Sequence, residues 1–493
     1  MFVSARTVFF TALTFIIFNN IFGVVGKIDD VETQKKIVII GAGASGIAAA
    51  SKLLANGYEN IVILEAEDRI GGRVWTVNDG DKFLEMGAQW IMGEDENVLY
   101  NLANGNSVLQ KKIEDFNGIY VKSNGDLIPS EVIEPYFKAY NDILEKNHDN
   151  NQKISEIFEN YIEQIDSDDK QTIKLFFKNL IETLTPVTNW NQESGAGIST
   201  FETIPGSSAI SLKTGVNALL YMIMNTYPNT DLTSKWKDLI HFNAKVKHIN
   251  WNQEKPFVQY TLGGNPTGLH NIEADYIIVT IPLGVLKHSY DELFVHPLPE
   301  KKISAIKNLS YGVVNKVFLT FEEQWWPNNT LLYTFFTEDD LKNLDISDKW
   351  LSNIAGFFPE ENYPATLTAW FVEKDDITSE IHLDTEIYTK LTKFIKNVFG
   401  KQGWTVTDPI KTRRTKWQQA SNFRGSYSYR GLNASKNGIT NADLREPLFN
   451  QDGKMTVLFA GEATHDKYYS TLHGAVETGY LAADTIIKAN NID

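Results

Sequence analysis

The stretch Lys36-Ile-Val-Ile-Ile-Gly-Ala-Gly-Ala-Ser-Gly46 constrains this chain more than any other. Ile37 to Ile40 is an apolar run of strand length, and it opens onto G-x-G-x-x-G at Gly41, Gly43 and Gly46. Ile47 to Ala55 then predicts a helix, stopped by Asn56-Gly57, and Ile61 to Leu64 predicts a second buried strand that ends at Glu65. Together these predict a βαβ unit that binds a dinucleotide. Gly41 permits the tight turn, Gly43 lets the backbone approach a pyrophosphate, and Gly46 lets the helix pack on the strand. Ala44 and Ser45 open the helix, where free N–H groups and a partial positive charge face phosphate. Glu65 can accept hydrogen bonds from a ribose. The alternative is a glycine-rich turn in some other α/β protein. The strand before the motif, the helix after it and the acid at the end of the second strand argue against that.

Charge narrows the partners. The formal net charge is −16, from 46 basic and 62 acidic residues, which argues against nucleic-acid binding through Lys and Arg. It suits a cationic substrate steered by an acidic cleft, and equally suits simple solubility. There is no cysteine, so disulfides, thiolate nucleophiles and zinc–thiolate sites are excluded, and no metal is expected. At the N-terminus, Arg6, the apolar run Val8 to Phe18 and the small residues around Gly26 predict a secretory signal peptide over residues 1–26. An uncleaved membrane anchor is the weaker rival, because Asn19-Asn20 would sit in mid-span. The expectation is a secreted protein, free of the membrane after cleavage, with candidate glycosylation sequons at Asn308, Asn328 and Asn433.

After Glu65 comes Arg69-Ile-Gly-Gly-Arg73, where two arginines can pair with phosphate and Gly71-Gly72 allows close backbone approach. Phe83-Leu-Glu-Met-Gly-Ala-Gln-Trp90 predicts a strand leading to a glycine-lined turn. From Gly41 to Trp90 the chain resembles the start of a flavin-dependent amine oxidase. That family includes monoamine, polyamine and L-amino-acid oxidases and flavin histone demethylases. The resemblance implies FAD, held by Gly41, Gly43, Ala44, Ser45, Gly46, Glu65, Arg69, Gly72, Arg73, Gly87, Ala88, Gln89 and Trp90.

Residues 130–184 are helical by pattern. Ile133, Phe137, Tyr140 and Leu144 are expected on one buried face, and Ile154, Ile157, Phe158, Tyr161, Ile162 and Ile165 on another. Thr185 to Ile198 is expected to be irregular. Ala244 to Trp251 alternates and predicts a strand; the resemblance implies that the Val246 backbone holds the adenine. Residues 254–272 predict a hairpin, and Ala274 to Gly284 a buried strand returning to the cofactor. Lys316 lies in an apolar strand context, where a lysine is costly unless paired or solvated. A sheet-edge lysine is the plain reading; the resemblance implies a lysine holding water against the flavin N5. Trp417 and Gly425-Ser-Tyr427 are implied to line flavin and substrate, though such aromatic clusters are often core. Near the C-terminus, Gly461-Glu462 is implied to bind the flavin ribitol and phosphate, and Thr471-Leu-His-Gly474 to face the isoalloxazine at a helix start. Tyr468-Tyr-Ser-Thr-Leu-His-Gly-Ala475 resembles animal spermine and acetylpolyamine oxidases.

The expected fold is α/β in two domains. A Rossmann-like FAD-binding domain would be assembled from residues 35–105, 206–290 and 430–488. An inserted substrate domain of mixed sheet plus helices would use 106–205 and 291–429. The expected activity is oxidation of an amine, most simply a polyamine, with Lys316, Tyr427 and Thr471 in catalytic positions and oxygen reduced to hydrogen peroxide. FAD is expected to be non-covalent unless a histidine attaches it. Two departures bear on the substrate: Met92 stands where polyamine oxidases carry His or Glu, and Trp370-Phe-Val-Glu-Lys lacks the usual glycine. Another amine, an L-amino acid steered by Arg413 or Arg424, or a catalytically silent flavoprotein are the alternatives. Glu193 and Glu202 are candidate grips for a distal ammonium, with surface exposure the plainer expectation for both.

Overall fold

The computed structural model describes residues 35–110, 117–207, 209–263, 265, 267–374 and 378–490. The predicted signal peptide lies outside the described residues. The fold is α/β and is built on two six-stranded sheets. In the first, the order is Leu448–Phe449, Met455–Phe459, Tyr276–Val279, Ile37–Ile40, Ile61–Leu64, Ile240–His241. All neighbours run parallel except the first pair. Ile37 stands opposite both Ile61 and Tyr276, and Ile40 opposite Leu64 and Val279. Both faces of such a sheet are covered, which is why Ile37–Ile40 is apolar at every position rather than alternating.

Helix Ala44–Ala55 crosses between Ile37–Ile40 and its neighbour Ile61–Leu64, and the C-terminal helix Leu472–Asn490 packs beside it. The glycines here are forced by contact. A Cβ on Gly46 would lie 2.0 Å from the Gly41 oxygen, and Gly41 itself has φ of +107°. The core under the other face keeps the chain longer than the expected boundary at 290. Leu293, Phe294, Leu298, Ala305, Ile306 and Leu309 belong to the same core as Val38, Ile277 and Val457.

The second sheet is mixed, in the order Lys411–Arg414, Val314–Thr320, Thr366–Val372, Ile354–Pro359, Thr330–Phe335, Asn117–Lys122. Helices Ser130–Leu144, Ile154–Ile162 and Lys170–Leu184 form a layer against it, with Phe176, Phe177 and Tyr136 meeting Phe335 in one core. The buried face of Ser130–Leu144 differs from the expected one. Ile133, Tyr136, Ala139 and Ile143 are buried, and Leu144 is 39% exposed. Both faces start at Ile133, but the expected one advances by four, three and four residues and the observed one by three, three and four, so the buried stripe is rotated by one residue and Phe137 and Tyr140 are only partly buried. Thr185 to Ile198 is more ordered than expected: it holds a 3-10 turn at Trp190–Gln192 and most of a short helix, Gly195–Thr200, with Val187 and Trp190 buried.

The predicted hairpin forms as Phe257–Leu262 with Leu269–Glu273, and Ala244–Asn250 completes a three-stranded sheet. Among the described residues, no helix is long and apolar enough to cross a membrane.

Candidate active site

The cleft for a dinucleotide starts at the C-terminal ends of the parallel strands. Glu65 is buried, and its two oxygens accept from Ala42 N at 2.6 Å and Glu67 N at 2.7 Å. Burial pushes this carboxyl above the usual range, while those two N–H groups pull it back. Each oxygen retains a lone pair for a ribose hydroxyl. The Gly71-Gly72 turn docks on the motif through Gly71 N to Ala42 O at 2.8 Å. Val246 pairs with Tyr260 and borders a bulge: the next pairing is His248 with Gln259, which leaves Lys247 as the extra residue.

The residues present fit FAD. No side chain caps helix Ala44–Ala55. A Cβ on Gly43 would meet protein only at ordinary distance, 3.8 Å from the Gly71 oxygen, so packing does not demand a glycine there. A ligand backbone approaching the helix start does. Ser45 Oγ is buried at this same start with no partner in the protein, the position of a hydroxyl that waits for a phosphate oxygen. In this fit, Gly43, Ser45 and Glu65 would hold the nucleotide portion.

Arg69 has a structural task. Its guanidinium donates to Gly72 O at 2.7 Å, Val74 O at 3.2 Å and Ile70 O at 3.3 Å, and lies 4.8 Å over the Trp75 ring. These bonds build the glycine turn, and the Nε–H and one Nη2–H take no part in them. Arg73 donates to Glu462 Oε1 at 2.7 Å and Ser426 O at 2.8 Å. Glu462 is likewise committed: Oε2 accepts from Ser428 Oγ at 2.6 Å and Ser470 N at 2.8 Å. Its carboxylate ties three segments together, so any direct contact with the ribitol falls to the backbone around Gly461, which has φ of +128°. A crevice lined by Arg73, Thr280, Pro282, Gly461 and Glu462 runs along this seam.

Lys316 is the densest part of the site. It stands in strand Val314–Thr320, every residue of which is buried. Its Nζ donates to Glu85 O at 2.8 Å, Gly87 O at 2.9 Å and Gln89 Oε1 at 2.8 Å. The same nitrogen lies 4.3 Å over the ring of Trp370, its cross-strand partner, and Trp370 stacks on Trp90 at 5.3 Å. Lys316 is therefore not a sheet-edge lysine. Burial lowers its hold on the proton, opposed by the Glu360 and Glu85 carboxyls. Burial in turn raises Glu85. Ala88 N donates to Arg73 O at 3.0 Å, so the 87–90 loop is pinned to the arginine that meets Glu462.

The aromatic positions divide. The Trp417 ring packs edge-on against Phe423 at 5.3 Å and Trp75 at 6.3 Å, and the Trp417 backbone N–H donates to Asn315 Oδ1 at 3.2 Å. Asn315 also donates to Glu373 and Glu380, and Glu380 accepts from Gln418 N and Gln419 N. The unusual Glu373 is thus a buried brace for the Trp417 segment. Tyr427 donates to Thr183 O at 2.9 Å, which ties strand Tyr427–Tyr429 to the helical layer; burial holds its phenol protonated. Thr471 Oγ1 donates to Tyr468 O at 2.7 Å and accepts from Gly474 N at 3.0 Å, capping the C-terminal helix. The donor of each hydroxyl is thus engaged within the fold, while acceptor lone pairs remain.

Among the candidate ammonium grips, Glu202 is exposed and pairs with Lys467 at 2.8 Å. Glu193 contradicts its expected exposure. It is 2% exposed, accepts from Thr185 Oγ1 at 2.9 Å, and burial pushes its carboxyl to about 8. Arg413 faces Asp79 and Tyr363, and Arg424 faces Lys245; neither is among the charged groups facing Lys316. Met92 is 37% exposed beside the 87–90 loop. Sequence reasoning missed Glu85 and Glu360. Glu85 carried a signal, an acid inside the apolar run Phe83-Leu-Glu-Met86; Glu360, in Pro359-Glu-Glu-Asn362, carried none.

The family model described as flavin containing amine oxidoreductase matches residues 44–487. A peroxisomal N(1)-acetyl-spermine/spermidine oxidase from Bos taurus is 26% identical, covering 92% of this chain and 94% of that one. A probable polyamine oxidase from Arabidopsis thaliana is also 26% identical, covering 92% and 98%. A solved structure of putrescine oxidase bound to putrescine superposes with a TM-score of 0.69 at 18% identity, over 92% of this chain and 99% of that one, and shares the fold. The chain belongs to the flavin-containing amine oxidoreductase family and is an FAD-dependent enzyme that oxidises CH–NH bonds.

Proposed function

We propose that the substrate is a polyamine, oxidised at a carbon next to nitrogen to an imine that hydrolyses to an aldehyde and a shorter amine. Support comes from relatives with polyamine-oxidase names that match nearly end to end, and from the net charge of −16, which favours a polycation. FAD supplies the redox chemistry, taking two electrons from the substrate and passing them to oxygen to give hydrogen peroxide.

The observation that carries the reading is the fixed, buried Lys316. As an ammonium it spends all three N–H donors on Glu85 O, Gly87 O and Gln89 Oε1. Once it loses a proton it has two donors and a lone pair, and can accept a proton from water or substrate. Burial favours that neutral form. Trp370 and Trp90 wall the amine and exclude water. Trp417, held by Asn315, shapes the slot.

The deciding measurement is peroxide release and anaerobic bleaching of the flavin with spermine, spermidine, N-acetylated polyamines, monoamines and L-amino acids. Turnover with a polyamine or its acetylated form is expected. Bleaching by monoamines or amino acids alone overturns the assignment, and no bleaching by any amine moves the protein to the silent reading that Met92 suggests.

We also propose that the protein is secreted after removal of residues 1–26. Asn328 and Asn433 are exposed, as glycan acceptors must be, and Asn308 is half-buried. N-terminal sequencing and glycosidase-sensitive mobility of the protein from culture medium test this; a chain retained in cells with Met1 intact refutes it.

A further inference from the structure

Glu360 has no part in the reaction described above, yet it is a carboxyl only 8% exposed, just beyond strand Ile354–Pro359. Its Oε1 accepts from Thr368 Oγ1, and its Oε2 accepts from Gln89 Nε2 at 3.2 Å. Gln89 in turn offers Oε1 to Lys316 Nζ at 2.8 Å. The direction of this chain is forced. An ammonium only donates and an ionised carboxylate only accepts, so the amide between them must turn its oxygen to the lysine and its nitrogen to the acid.

Glu85 is the other carboxyl whose charge acts on Lys316 among the described residues. It works differently. Its Oε1 accepts from Val216 N at 2.7 Å and its Oε2 from Thr76 Oγ1 at 2.8 Å, so it holds Lys316 only through its backbone oxygen. Of these two carboxyls, Glu360 is the one linked to the lysine by side-chain hydrogen bonds, through Gln89.

We propose that Glu360 is a positioning residue for Lys316, acting through Gln89 to aim the amine and to stabilise its charged form. The idea rests on Lys316 working beside the flavin. Burial raises Glu360 itself and the Lys316 charge pulls it back, so each group favours the ionised form of the other. Glu360→Gln keeps the shape and a partner for Gln89 and Thr368 but removes the negative charge. Lys316 then gives up its proton at lower pH.

The test uses holoenzyme with Glu360→Gln, Gln89→Leu and Lys316→Met. The visible absorption of the oxidised flavin is followed without substrate from about pH 6 to pH 10, around the lysine range. Anaerobic flavin reduction by an amine is followed over the same range. Lys316→Met identifies the transition that belongs to the lysine. Glu360→Gln is expected to move that transition down by about one pH unit. Gln89→Leu keeps the Glu360 charge, so it moves the transition less but slows reduction on the order of tenfold by misaligning the amine.

A Glu360→Gln enzyme with both pH midpoints unmoved overturns the proposal, even if it melts earlier, since a purely structural role would lower stability without moving a midpoint. A Lys316→Met enzyme that loses no transition also overturns it, because the lysine would then not sense the flavin. If no amine reduces the flavin but the absorption midpoint still shifts, the substrate reading fails and this one stands.

Discussion

Two lysines in this molecule are buried in nearly the same way, and only one belongs to the active site. Lys302, in helix Glu300–Asn308, is 3% exposed; it donates to Glu446 O at 2.6 Å and to Leu444 O, and lies 4.0 Å over the Phe459 ring. Lys316 is 4% exposed, bonds two backbone oxygens and an amide, and lies 4.3 Å over Trp370. Burial lowers the proton affinity of both, Lys302 to about 7. The difference lies in what they are attached to. Lys302 closes the end of the short helix Asn441–Arg445, and the nearby Asp443 and Glu446 carboxylates pair with the exposed Lys301 at 3.0 and 3.1 Å. Lys316 is attached to the loop that carries Gly87 to Trp90, and through Gln89 to a buried acid. A buried lysine over an aromatic ring is therefore no mark of catalysis by itself. Its acceptors decide.

The comparison breaks most visibly at Lys316→Met. Flavin reduction by the best amine should fall on the order of a hundredfold or more, with flavin content kept. Rapid-mixing measurement of anaerobic bleaching reads this, and a loss under threefold would remove Lys316 from the chemistry. Lys302→Met should do the reverse. It leaves the Leu444 and Glu446 carbonyls without their donor and should cost about 1–3 kcal/mol in urea unfolding, with bleaching per bound flavin unchanged. A slowed reduction there would make the two lysines alike.

The pH dependence of stability sharpens the contrast. The folded Lys302 gives up its proton near 7, well below the ordinary lysine value of 10.5. Between those values the unfolded chain holds one proton more at this site, so its contribution to stability rises with pH across that window and is flat below it. Lys302→Met should flatten this rise in unfolding measured at a series of pH values; an unchanged slope would show that the ammonium is well solvated. The smallest effect belongs to the rings. Trp370→Leu should slow reduction a few-fold by removing a cation–π contact of about 1 kcal/mol. Phe459→Leu should leave reduction rates untouched.

The elements were legible where local pattern carries them. The βαβ unit, the return strand Tyr276–Val279 and the strand of Lys316 each rest on a run of neighbouring apolar residues, and the resemblance located the flavin loop on the same motifs. The side-chain roles were harder. Arg69 and Glu462 read as ligand contacts because charge beside a glycine loop suggests phosphate, and nothing local shows the carbonyls and the distant arginine that also engage them. Glu193 read as a surface acid because nothing nearby in sequence shows that Thr185 and the helical layer enclose it.

By itself the sequence determined a nucleotide-binding βαβ start, a cysteine-free chain and a lysine in an apolar strand, because periodicity, glycine spacing and composition are properties of adjacent residues. Only the tertiary structure decided which acids answer that lysine. Glu85 meets it across 231 residues, and Gln89 joins Glu360 across 271. A carboxyl becomes part of the site when the fold removes it from water and gives it one partner, and no local pattern encodes that.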